Sequence, residues 1–315
     1  MDRRHETTAE TYRRFARGEA AGRSPLYEAL SLRIAEDAAV LDFLLTLPPP
    51  KRQPNLLLAA YRWHRGVAAG WEEFRAGLLA EAPAIRATML ERATQTNEPG
   101  RCATLLPVLA GLPQPLALIE VGASAGLCLL PELYGYDYGA SGSLPGEPAF
   151  PCAFAGPVPG RKPEVVWRAG LELNPIDVTD QDAARWLETL VWPEQTGRLD
   201  RLRGALAVAR RNPPRLVQGD LRRDLAALAA EAPRGATRVI FHTAVLAYLP
   251  DLAEREAFAR EVRGLCDVWI ANEAPGVFPE IAAKAGEPRP GRFLLSVNGE
   301  PVGWTDPHGA SLDWL

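Results

Sequence analysis

The sequence predicts an α/β protein in which an open, mostly parallel sheet ends in an antiparallel hairpin and follows a helical N-terminal region. Three observations predict it. Apolar residues recur at three- and four-residue spacing over roughly the first hundred positions, the period of a helix with one buried face. From Leu116 onward, short apolar runs alternate with stretches of helical period, as in parallel strands joined by helical crossovers. Near the end, FLLSVNGEPVGWT places Asn298 and Gly299 between two strand-like runs, and Asn-Gly readily takes the positive φ angles of a tight hairpin turn.

In chain order, helices are expected from Thr11 to Gly18, Pro25 to Leu47, Asn55 to Gly66, Trp71 to Leu79 and Ala84 to Ala93, broken by glycine and proline. They make a helical region over residues 1–112, and residues 113–315 carry the sheet. Strands are expected at Leu116 to Val121, Glu164 to Leu171, Arg215 to Gln218, Thr237 to His242 and Asp267 to Ala271. The first, LALIEV, is apolar throughout, as a strand covered on both faces must be. Helices are expected between them at Ser124 to Glu132, Asp180 to Leu190, Gly197 to Arg210, Leu221 to Ala230 and Asp251 to Gly264. An insert over residues 133–163, rich in glycine, proline and tyrosine, is too long for an ordinary connection and suits a lid or substrate loop.

Composition narrows the function classes. The 315 residues are 47% hydrophobic and 23% charged, which describes a folded globular chain. A net charge of −4 from 35 basic and 39 acidic residues supplies no bulk field for nucleic acid. Cys102, Cys128, Cys152 and Cys266 are widely spaced, with no C-x-x-C pair, so no metal site is expected and the thiols read as buried and reduced. The charged N-terminus lacks an apolar signal core and no apolar run is long enough to span a bilayer, so a cytoplasmic location and no membrane partner are expected.

The stretch Glu120-Val121-Gly122-Ala123-Ser124-Ala125-Gly126 follows the first strand and carries the most chemical information. In an open α/β sheet that position is the carboxyl end of a strand, where ligands bind. Gly122 and Gly126 permit a sharp turn, and the small Ala123 and Ser124 keep it uncrowded. The pattern resembles the first motif of class I S-adenosylmethionine-dependent methyltransferases, acid-x-Gly-x-x-x-Gly. That resemblance implies that Glu120 faces the amino-acid end of the cofactor and that Gly122, Ala123, Ser124 and Gly126 line its passage. It further implies that Glu172, after the second strand, holds the ribose hydroxyls, and that Asp220 with Leu221, after the third, borders the adenine.

Gly122-Ala123-Ser124-Ala125-Gly126 also matches the G-x-S-x-G nucleophile elbow of α/β-hydrolases, with Asp251 or Glu273 and then His308 in the required chain order. That fold calls for strands and an oxyanion loop ahead of the serine, where this chain reads as helical. A nicotinamide site is disfavoured, since Ser124 and Leu127 replace its second and third glycines, and a P-loop is excluded because no Gly-Lys-Ser/Thr follows.

Candidate catalytic groups follow the later strands. His242 suits a general base because an imidazole titrates near neutrality, or a cofactor-binding residue packed against the cofactor; Tyr248 lies shortly beyond it, and Glu273 follows the fifth strand. Each has a plainer alternative, in packing or at a solvated rim. The same holds for Tyr134, Tyr136, Asp137 and Tyr138 in the insert, for Tyr61, Trp63 and His64, for Trp186 and Trp192, and for His308.

LALIEVGASAGLCLLPELYGYDYG, RWLETLVWPEQ, FHTAVLAYLP and PHGASLDWL together resemble an uncharacterised bacterial family, domain of unknown function 2332, over nearly the whole chain. The resemblance implies a methyltransferase-like fold with a helical N-terminal region and no particular reaction. The expectation is therefore a transferase that uses S-adenosylmethionine on a small-molecule acceptor. The alternatives are an esterase built on Ser124 and a non-catalytic cofactor-binding or interaction protein.

Overall fold

The computed structural model describes residues 3–315. The chain divides into two compact units, Met1–Thr96 with Arg185–Asp200, and Asn97–Ala184 with Arg201–Leu315.

The first unit contains α1 (Arg3–Phe15), α2 (Pro25–Ile34), α3 (Ala38–Leu45), α4 (Pro54–Arg65), α5 (Trp71–Ala80) and α6 (Ala82–Glu91). Ser24 starts α2, its hydroxyl accepting from Tyr27 N at 3.1 Å with Pro25 in the first turn. The single helix expected from Pro25 to Leu47 is two, because Asp37 leaves the helical region and caps a new start, accepting from Val40 N at 3.0 Å. Tyr12, Leu41, Leu44, Leu57 and Phe74 form the apolar centre. Residues 185–200 complete it: Trp186 joins the core and donates to Ala93 O at 2.9 Å, and Trp192 donates to Asn55 Oδ1 at 2.9 Å. Tyr61 packs on Phe74 at 4.6 Å, His64 bonds the Thr88 hydroxyl at 2.8 Å, and the Arg92 and Arg185 guanidinium groups lie 4.4 and 4.1 Å from the Trp63 ring. These aromatics all have packing roles.

The second unit opens with α7 (Arg101–Gly111), a helix hidden in the sequence by Pro107 within it. Then come β1 (Leu116–Val121), β2 (Gly135–Asp137), β3 (Ser143–Leu144), β4 (Ala149–Pro151), β5 (Ala153–Phe154) and β6 (Val165–Glu172). After β6 the chain forms α8 (Gln181–Leu190), α9 (Thr196–Arg211), β7 (Arg215–Gln218), α10 (Leu225–Ala230), β8 (Thr237–Thr243), α11 (Leu252–Leu265), β9 (Val268–Glu273) and α12 (Pro279–Lys284). It closes with β10 (Phe293–Val297), β11 (Glu300–Thr305) and β12 (Ser311–Trp314).

The main sheet has the order β5-β12-β11-β10-β9-β8-β1-β6-β7. Its strands β7, β6, β1, β8 and β9 are parallel, and β10 is antiparallel to both of its neighbours. The expected hairpin is present between β10 and β11, with Asn298 at φ 53° and Gly299 at φ 82°. Strands β12 and β5 extend the sheet beyond it. The chain winds outward from β1 to β6 and β7, then crosses back to β8 and β9, so the strand order reverses between β1 and β8. That reversal is the crevice in which doubly wound sheets bind ligands.

The pleat sorts this edge into two faces. Val121, His242 and Ala271 are in register on one face, which packs against Leu228 of α10, Val262 of α11 and Ile281 of α12. Glu120 is in register with Phe241, and Thr243 with Asn272, on the other. On that side Arg101 of α7 donates to Thr243.

Two expectations are corrected. The helix from Ser124 to Glu132 does not form, because Ser124 and Gly126 take φ of 51° and 68°, and two short turns, Leu127–Leu129 and Pro131–Leu133, stand in its place. The insert is not an open loop: β2, β3 and β4 form a small sheet. Tyr134, Tyr136 and Tyr138 are buried and donate to the carbonyls of Leu127, Pro131 and Ala103, while Asp137 accepts from Gly139 N.

Candidate functional site

Glu120 is the penultimate residue of β1, beside the strand-order reversal. Its side chain is buried, Oε2 has no hydrogen-bond partner, and burial pushes the carboxyl well above the usual carboxylate range, with the Arg101 charge opposing the shift. Beyond it the glycine turn is held from several sides. Gly122 N donates to Leu171 O at 2.8 Å, Asn97 donates to Ser124 Oγ at 2.8 Å, and Ala125 N donates back to Asn97 Oδ1 at 3.0 Å.

The glycines are required by close packing as well as by positive φ. A Cβ at Gly122 would collide with Val245, and one at Gly126 with Pro214. Ala123 is buried against Gly170, where even a methyl group would not fit.

Glu172, at the end of β6, accepts from Ser124 N at 2.8 Å through Oε2 and from Asn174 N at 3.1 Å through Oε1. It therefore ties the glycine turn to the next strand, and each oxygen keeps a second lone pair. Asp220, after β7, accepts from the Arg222 side chain at 2.7 and 3.0 Å, and that guanidinium holds its carboxyl down at about 2. Leu221 packs half-buried on the core. Glu120, Glu172 and Asp220 thus lie at the carboxyl ends of three adjacent strands, along one edge of the sheet.

The later candidates separate. Tyr248 is 82% exposed, whereas His242 is fully buried. The Trp269 indole, which can only donate, gives its proton to His242 Nε2 at 3.0 Å, so Nδ1 carries the proton shared with Glu273 Oε1 at 2.7 Å. Both ring nitrogens are engaged. His308 lies 3.3 Å from Glu98, in a turn whose Pro307 carbonyl accepts from Arg101 Nε at 2.8 Å.

The structure adds residues that no motif marked. Asn97 bridges the glycine turn, Arg101 joins α7 to Thr243 and Pro307, and Asn272 accepts from the Thr305 hydroxyl at 2.7 Å while its Nδ2 has no partner. Apart from their hydrogen-bonding side chains, nothing in the sequence distinguishes them.

Ser124 has a positive φ, as a hydrolase elbow needs, but the surrounding geometry departs from that fold. No strand precedes β1 among the described residues, no α-helix follows the turn directly, Ser124 Oγ is bonded to Asn97, His242 is bonded to Glu273, and His308 Nδ1 lies 3.3 Å from Glu98. Among the described residues no group of three or more His, Cys, Asp or Glu side chains could hold a metal ion, and no helix is long and apolar enough to cross a membrane. The four cysteines are free, and Cys102, Cys128 and Cys152 are buried.

A parallel sheet with a strand-order reversal and a row of acids along its carboxyl edge defines a doubly wound α/β protein with its candidate ligand site at that edge. The chain belongs to the family DUF2332, described as an uncharacterized protein conserved in bacteria, which matches residues 9–314. No curated protein and no solved structure matches it.

Proposed function

We propose that this chain is a methyltransferase that binds S-adenosylmethionine across the carboxyl ends of β1, β6 and β7 and acts on a small-molecule acceptor. The observation that carries this proposal is Glu120, a buried carboxyl with one unpartnered oxygen beside the strand-order reversal, where an isolated ionisable group is costly unless a ligand completes it. An ammonium is the complement it lacks. Glu172 has lone pairs left to accept ribose hydroxyls, although its amide bonds limit its movement. Asp220 is pre-oriented by Arg222 and suits a place beside the adenine, with Leu221 supplying apolar contact.

Val245 fills the space over Gly122, so bound cofactor would pass beside this glycine rather than over it. When bound, the sulfonium supplies an electrophilic methyl group, and the protein's task is to orient the acceptor in line with it. Tyr248, exposed after β8, offers a ring face to that acceptor. His242 and Glu273 are committed to each other and are given no proton-transfer role. The absence of net positive charge favours a small acceptor over nucleic acid.

Calorimetric titration of the full chain with S-adenosylmethionine and S-adenosylhomocysteine tests the proposal. Both ligands are expected to bind, and Glu120→Gln is expected to weaken S-adenosylmethionine by about tenfold, one charge-assisted contact being worth ~1.4 kcal/mol or more. Failure of the folded protein to bind either ligand overturns the proposal, as does covalent labelling of Ser124 by a fluorophosphonate ester.

A further inference from the structure

The loop that leaves β8 is held by a polar chain on the face of the sheet opposite Glu120. His242 lies in register with Val121 and Ala271, below the loop, and Glu273 ends the neighbouring strand β9. Trp269 and His242 are fully buried and Glu273 is 3% exposed. The Trp269 indole fixes the tautomer of His242, and His242 Nδ1–H fixes one oxygen of Glu273. That same oxygen accepts from Val245 N at 2.9 Å and Leu246 N at 3.2 Å, just after Ala244 reverses the chain at φ 57°. Val245, so placed, covers Gly122 with its side chain.

We propose that Trp269, His242 and Glu273 form a positioning relay that seats Val245 on Gly122 and thereby sets the spacing between the β1 and β8 loops, the two walls of the crevice at the strand-order reversal. All three are buried on the sheet face opposite Glu120 and act through the loop backbone, so they are positioning residues. A buried imidazole–carboxylate pair is seldom more stable than apolar side chains of equal volume. What the pair supplies is direction, because three N–H groups converge on a single carboxylate oxygen and two of them belong to the loop backbone. Gly122 completes the arrangement, since any side chain there would displace Val245. That the crevice takes a ligand rests on the proposed function, while the relay itself does not.

Two measurements on the full chain separate them. In the first, amide hydrogen exchange is compared between the wild type and His242→Leu, Trp269→Phe and Glu273→Gln. The relay requires the Val245 and Leu246 amides to exchange about tenfold faster in His242→Leu, the scale of one lost hydrogen bond, with protection of β1 and β9 retained. Glu273→Gln keeps an acceptor of the same shape and is expected to stay within about threefold of the wild type at these amides. For Trp269→Phe, Glu273 still accepts from Nδ1–H, so ¹⁵N spectra of His242 are expected to keep that tautomer while the Nε2 resonance moves on losing the indole hydrogen bond, a signature that a packing role alone would not produce.

Unchanged exchange at Val245 and Leu246 in a folded His242→Leu overturns the relay, and so does an unchanged His242 Nε2 resonance in Trp269→Phe. The second measurement titrates the same variants with S-adenosylhomocysteine. Weaker binding by about tenfold in His242→Leu, with Glu273→Gln near the wild type, supports control of the crevice. Faster exchange with unaltered affinity overturns that control. If the wild type binds no S-adenosylhomocysteine, the methyltransferase proposal fails and the exchange and ¹⁵N data still decide the relay.

Discussion

The two units bury different kinds of polar group. Among the described residues, the buried polar side chains of the helical unit are hydroxyls only: Thr8, Ser24, Ser31, Thr88 and Thr189. The sheet unit buries Glu98, Arg101, Glu120, His242, Asn272 and Glu273. Hydroxyls can satisfy themselves on a nearby carbonyl, as Thr8 and Thr189 do four residues back along their helices. Charged groups cannot be buried so cheaply, and their concentration in one unit marks where stability has been given up for geometry. The helical unit is held chiefly by volume, and the sheet unit adds directed contacts to an apolar core of its own.

The largest effect expected is in the helical unit. Phe74 is fully buried against Tyr61 and Trp71, and Phe74→Ala should cost about 4 kcal/mol in urea denaturation; a much smaller loss would break the view that volume holds this unit. In the sheet unit, Arg101→Ala should cost about 3 kcal/mol by stranding the carbonyls of Thr243 and Pro307. Arg101→Met, which keeps most of the volume, should recover little of that loss. A full recovery would put Arg101 in the same class as Phe74.

Glu120 sharpens the contrast through pH. Its carboxyl is raised in the folded state, so between its unfolded and folded pKa the unfolded chain has released a proton that the folded chain retains. Stability contributed by this group is therefore present below the unfolded value and lost as pH rises above it. Glu120→Gln should be more stable than the wild type at about pH 7, with the gap closing towards about pH 4, as followed by urea denaturation across that range. Combined with weaker S-adenosylmethionine binding, that gain would identify a side chain kept at the expense of stability. The smallest effect is expected at Tyr248, whose exposed ring should be replaceable by alanine within about 0.5 kcal/mol, so that any change in the proposed methyl transfer reports on acceptor contact alone.

Much of the fold is legible because its signals are local. LALIEV reads as a central strand and lies between β6 and β8, and Asn298-Gly299 reads as a tight hairpin turn and joins β10 to β11. The candidate acids are legible too, because the turn after each parallel strand is marked by the change from apolar run to polar residues. The helix expected after the glycine turn fails for a physical reason: Ser124 takes positive φ where its amide reaches Glu172, a contact invisible without the neighbouring strand. The insert misleads in a similar way, since alternating Tyr-Gly-Tyr-Asp-Tyr suggests an aromatic lid until its hydroxyls find carbonyls in the interior.

Residue order alone therefore settles the helical first region, the parallel strands, the closing hairpin and the placement of Glu120, Glu172 and Asp220 at the carboxyl ends of parallel strands, because periodicity and turn chemistry act over a few residues. Tertiary packing settles which of these groups are paired and which are left open. Arg101 meets Thr243 from 142 positions away, and Glu273 closes on His242 from 31. Such partners are brought together by crossovers and by the pleat, which sends Glu120 to one face and His242 to the other, so they exist only once the sheet is assembled.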